Sequence, residues 1–139
     1  MFIGGTNYYF TQKLNHSIEV VGKVELPVIR LMTQAGMMHD AMRAAVFASI
    51  VFAEETEKAQ AAKDEYEEFS KNFFSYLSEI EKLKAADSAI LQKIGSTRAK
   101  VTAYHEAGLK IIAMSLAGKG GEAKTQTDSF MASFGHSRC

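Results

Sequence analysis

The sequence predicts an all-α protein, folded as an antiparallel up-down four-helix bundle with a long first helix. Three observations predict it. The 58 residues between Gly36 and Gly95 contain neither glycine nor proline. That stretch is rich in Ala, Glu, Lys, Met and Leu, the strong helix formers. No segment shows sustained period-2 alternation with β-branched enrichment, so no strand is expected. A single helix of that length would run about 87 Å, and a single-domain chain folds it back on itself. The 139 residues are read as one domain, residues 1–139.

The first helix is expected from about Phe10 to Ala53, interrupted at Gly22 and Pro27, with its regular part starting at the proline. Its apolar stripe is read as Ile29, Met32, Gly36, His39, Met42 or Arg43, Val46 and Ile50. The polar run Glu54-Glu55-Thr56-Glu57 is the first turn. A second helix, Lys58 to Lys84, carries Tyr66, Phe69, Phe73, Tyr76, Leu77, Ile80 and Leu83 at steps of three and four. Asp87 or Ser88 caps the third helix, which runs from Ala89 to Ala117. Along it Leu91, Ile94, Arg98, Val101, His105, Gly108, Ile112 and Ser115 form a seam. Gly118-Lys119-Gly120-Gly121 ends it, with a glycine in the left-handed cap. The fourth helix starts near Glu122 and presents Ala123, Thr127, Phe130, Met131 and Phe134. It is much shorter than the first.

Composition removes several function classes. Sixteen basic and sixteen acidic residues leave a net charge of zero, so the basic excess of a nucleic-acid binder is missing and no nucleic-acid partner is expected. A single cysteine, Cys139, excludes an internal disulfide and any CxxC site. The glycine run lacks the Walker spacing, no nucleophile elbow occurs, and no Glu-x-x-His pattern of di-iron bundles exists. No enzyme activity is expected. No apolar stretch is long enough to span a membrane. Residues 1–10, opening Met1-Phe2-Ile3-Gly4-Gly5, fit the end of a membrane helix as well as an ordinary N-terminus. The aromatics Tyr8, Tyr9 and Phe10 on a projecting first helix call for a cover, and a second copy is the simplest one.

The segments Leu26–Met32 and Met37-Met38-His39-Asp40-Ala41-Met42-Arg43 resemble the first helix of the four-helix-bundle sensory domains of bacterial methyl-accepting chemotaxis receptors. Glu67-Glu68-Phe69 and Tyr76 on a second helix, Tyr104-His105-Glu106 on a third and the Gly118–Gly121 turn fit the same pattern. The resemblance implies the periplasmic domain of an inner-membrane receptor, held to the membrane by segments outside this chain. It implies a homodimer formed through the first helix, a small-molecule effector bound between helices, and a signal carried by the fourth helix. In such receptors arginines of the first helix hold anionic ligands; here these are Arg30 and Arg43.

His39 and His105 are the sharpest chemical feature. His39 stands 15 residues before Glu54, and His105 stands 13 before Gly118. Those two turns lie at one end of an up-down bundle, so the histidines are expected at one height on parallel helices. Inward imidazoles at one level suit a transition metal or a haem iron held between His39 and His105. The other reading makes each a core residue with its own hydrogen bond. Arg43 and Arg98 call for a carboxylate, from a ligand or from Asp40 or Glu106. The candidate ligand-binding residues are His39, Asp40, Arg43, Tyr104 and His105, with Gly36 and Gly108 expected to leave space beside the histidines. Two further readings stand beside the receptor: a stand-alone bundle binding haem or a metal through His39 and His105, and a purely structural helical interaction protein.

Overall fold

The computed structural model describes residues 3–84 and 87–135, with side chains from 11–84 and 87–132. Cys139, the Ala85-Ala86 connection and the side chains of Tyr8, Tyr9, Phe10 and Phe134 fall outside the described residues. Helix α1 spans Ile3–Val20 and α2 Leu26–Val51, joined without a break by a π-helical turn, Val21–Glu25. Then follow α3, Thr56–Leu83, α4, Ser88–Leu116, and α5, Gly120–Gly135. The described residues contain no strand, and the bundle with its long first helix is the architecture the sequence predicts.

The expected interruption at Gly22 and Pro27 takes the form of that π turn. Proline has no N–H, and in an α-helix its ring abuts the carbonyl four residues earlier. Here the preceding amide, that of Leu26, reaches back five residues to the Val21 carbonyl. The wider turn accommodates the proline near the start of α2. Other boundaries follow local chemistry. The Asp87 carboxylate accepts from the Ile90 amide at 3.1 Å, an N-cap. Gly118 has φ +73°; its amide bonds Ser115 O and that of Lys119 bonds Met114 O, the paired bonds of a Schellman cap.

Tyr66, Phe130, Met42, Ile112 and Val46 are fully buried. The parallel helices α2 and α4 meet across the bundle, where the Ser49 and Ser115 hydroxyl oxygens lie 3.4 Å apart. Gly120 packs on Ala53, so the first and third turns share one end. α5 has 16 residues against 26, 28 and 29 in α2, α3 and α4. Running antiparallel to α2 from that end, it rises only to the level of about residue 38.

The stripe read for the first helix needs correction in its first half. Val28, Leu31, Ala35, Met42 and Val46 face the core, whereas Ile29 and Met32 are 58% and 61% exposed and Gly36 is exposed. Early α2 is apolar on two faces, and α3 covers only one of them. Leu83 also emerges exposed, at the end of α3. No helix among the described residues is long and apolar enough to cross a membrane.

Candidate functional site

His39, from α2, lies against two rings. Its centroid is 4.8 Å from Tyr104 of α4 and 6.1 Å from Phe73 of α3. Tyr104 in turn stacks on Phe130 of α5 at 4.3 Å and 22°. One aromatic column therefore joins α2, α4 and α5 at mid-height. One turn beyond His39, Arg43 Nη2 lies 3.7 Å from Asp40 Oδ1. Four of the five candidate ligand residues, His39, Asp40, Arg43 and Tyr104, thus gather on one side of the bundle.

The electrostatics of this group follow from burial. Desolvation holds the His39 pKa below its usual 6.5; Arg43 adds to the shift and Asp40 opposes it. Desolvation also holds the Tyr104 phenol well above its usual 10, against the pull of Arg43. At neutral pH the column is uncharged, and Arg43, two-thirds covered, is the cation beside it. Such a guanidinium suits a carboxylate or other planar anion.

His105 turns elsewhere. Its ring stacks on Tyr66 at 5.4 Å and 4°, and meets Phe74 edge-on at 6.0 Å. Tyr66 Oη donates to the His105 carbonyl at 3.0 Å. The imidazole Nδ1 is buried with no hydrogen-bond partner among the described residues. Burial lowers its pKa, with Glu106 and Glu67 opposing. Ser49 and Ser115, each ten residues beyond a histidine, are in contact, so His39 and His105 do share a height. Their rings nevertheless rest on Phe73 and Phe74, consecutive residues about 100° apart around α3. Among the described residues no group of three or more His, Cys, Asp or Glu is placed to hold a metal ion.

Two expectations about neighbours change. The space at Gly108 is filled: a Cβ there would stand 2.3 Å from Tyr66 Oη, so this glycine admits a tyrosine ring. Gly36 has nothing within 4 Å of a Cβ, because it faces outward. Arg98 finds its carboxylate in neither Asp40 nor Glu106 but in Glu81 of α3, through Nε at 3.3 Å and Nη2 at 3.0 Å, with Ser78 Oγ at 3.2 Å.

Among the described residues, grooves lie on two sides of α5. The larger, about 1020 Å³, opens between the C-terminal end of α2 and the start of α5, where Phe47, Ile50, Glu54, Gly121, Lys124 and Asp128 are among its walls. The smaller, about 230 Å³, runs beside Tyr104 and Phe130 between α4 and α5. The larger groove was not foreseen, because it depends on how far α5 stands from α2. The Tyr104–Phe130 contact had a signal, since Phe130 lies on the apolar face of the fourth helix.

Neither a curated protein nor a solved structure matches the chain. A family described as the four helix bundle sensory module for signal transduction matches residues 1–136. That is a sensory family, not an enzyme family. With the match running over nearly the whole bundle, the chain belongs to the four-helix-bundle sensory modules for signal transduction.

Proposed function

We propose that this module is the extracytoplasmic sensory domain of a chemotaxis receptor of the inner membrane, that it works as a homodimer, and that it binds a small anionic effector between helices. The observation that carries this reading is the column His39–Tyr104–Phe130. It links α2, which bears Arg43 one turn from His39, to α5, the shortest helix of the bundle. An effector carboxylate drawn to Arg43 would displace Asp40 from it and press on the adjoining imidazole. Tyr104 then passes the shift to Phe130, and α5 moves relative to α2. The dimer rests on a second feature. Among the described residues, ten of the eleven exposed large apolar side chains lie between Leu14 and Val51, on the first helix.

Isothermal titration of the chain with acetate, succinate, citrate and L-aspartate tests the reading. At least one should bind saturably, and Arg43→Ala should weaken it about ten-fold or more, the worth of a charge-assisted contact. Heat-stable wild-type protein that binds none of the four, or an Arg43→Ala variant that binds equally well, sinks the effector assignment.

A further inference from the structure

The π turn and the exposed residues on either side of it belong together. On α1 the apolar residues are Leu14, Ile18, Val20 and Val21 next to it; on α2 they are Leu26, Ile29, Met32, Met37, Phe47 and Val51, all exposed. At about 100° per residue, an unbroken α-helix would set the mean directions of these two stripes roughly 95° apart. One extra residue in a π turn takes up about 100°, which brings the two mean directions within about 10° of each other. The turn is also fixed in place: Glu25 pairs with Lys84 at the end of α3, whose side chain is 12% exposed, and Val24 packs on the core.

We infer that the π turn Val21–Glu25 is a phase adaptor, which keeps one apolar seam continuous from Leu14 to Val51 for pairing with a parallel second copy. This rests on the homodimer of the proposed function and extends it to α1. Area explains why continuity matters. Over α2 alone the seam is ~38 Å long and ~11 Å wide, so two copies bury ~800 Å² in total, the level of adventitious contacts. From Leu14 onward it is ~56 Å long and buries about 1,200 Å², where specific interfaces begin. An α1 turned away by roughly 95° would leave the pair on the shorter seam.

Neighbouring cysteines in α1 test this. With Cys139→Ser removing the only native thiol, Leu14→Cys, Asn15→Cys and Ile29→Cys are oxidised separately at equal concentration, and melting by circular dichroism confirms that each keeps the wild-type fold. Ile29→Cys reports the α2 part of the seam. With the π turn in place Leu14 faces the partner and Asn15 points about 120° away; in an unbroken α-helix their roles exchange. Leu14→Cys should therefore cross-link about ten-fold faster than Asn15→Cys, since Cα atoms more than ~7 Å apart do not bridge. Cross-linking at Ile29→Cys with Asn15→Cys equal to or faster than Leu14→Cys overturns the adaptor and leaves the dimer standing. Absence of cross-linking at Ile29→Cys overturns both.

Discussion

The imidazole of His39 and the phenol ring of Tyr104 lie 4.8 Å apart, centroid to centroid, in contact across the bundle from α2 to α4. Tyr104 carries Phe130 on another side, so it joins α5 to the rest of the core at mid-height.

Phe130→Ala should remove that link. Phe130 is 1% exposed, and truncating a buried phenylalanine costs about 3–5 kcal/mol. Thermal denaturation should show the loss. Hydrogen exchange should rise more in residues 120–135 than in α3. A uniform rise across all helices would mean that α5 does not open separately.

Gly108→Ala and Gly36→Ala should move stability in opposite directions. At Gly108 the added methyl meets the Tyr66 ring, and overpacking costs about 1–3 kcal/mol. At Gly36 it meets nothing and gains the helix propensity of alanine, about 1 kcal/mol. Urea melts of the two variants measure both. Equal effects would contradict the Tyr66 contact.

Stability should fall as pH falls below 6.5. Burial lowers the pKa of His39 and His105 in the folded chain, so the unfolded chain binds protons first. Their contribution is complete above the unfolded value of 6.5, is lost through the window between 6.5 and the lowered folded values, and then levels off. The groups around them are Asp40 and Arg43 for His39, and Glu67 and Glu106 for His105. The melting temperature should drop between pH 7.5 and pH 5, and His39→Leu/His105→Leu should flatten the profile. At neutral pH His105→Leu should stabilise the chain, because it removes a buried Nδ1 with no partner. An unchanged slope in the double variant would show that other groups set the pH response.

Glu81→Gln should cost up to about 1 kcal/mol, the range of a solvent-touched ion pair. Both Arg98 and Glu81 are about one-third exposed. The loss should shrink in 1 M NaCl, where such pairs are screened. A salt-independent loss would place the cost in packing.

Helix ends were the most legible part of the fold, because their signals are local. Asp87 caps α4 and Gly118 closes it, as the sequence indicates. The shared height of His39 and His105 was also legible, since it needs only helix count and turn position. Rotation about a helix axis was less so. Early α2 carries Val28, Ile29, Leu31 and Met32, apolar around much of its circumference, and periodicity cannot choose a face there. The same rotational freedom hid Glu81 as the partner of Arg98, and Tyr66 as the occupant of the space at Gly108. The closeness of His39, Asp40 and Arg43 followed from spacing along one helix; Tyr104 entered only with the Tyr104-His105-Glu106 resemblance, because the seam read on α4 ran through His105, whose departure depended on which ring of α3 it met.

The close contact of Gly120 with Ala53 gives α5 the mechanics of a lever. Its first turn is pinned where the backbone turns of the bundle meet, and its far end stands free of that anchor. Over 16 residues a tilt of about 5° about the pinned end carries Gly135 sideways by about 2 Å, given a helix ~24 Å long. A displacement too small to disturb the fulcrum becomes, at the tip, comparable to the radius of a methyl group.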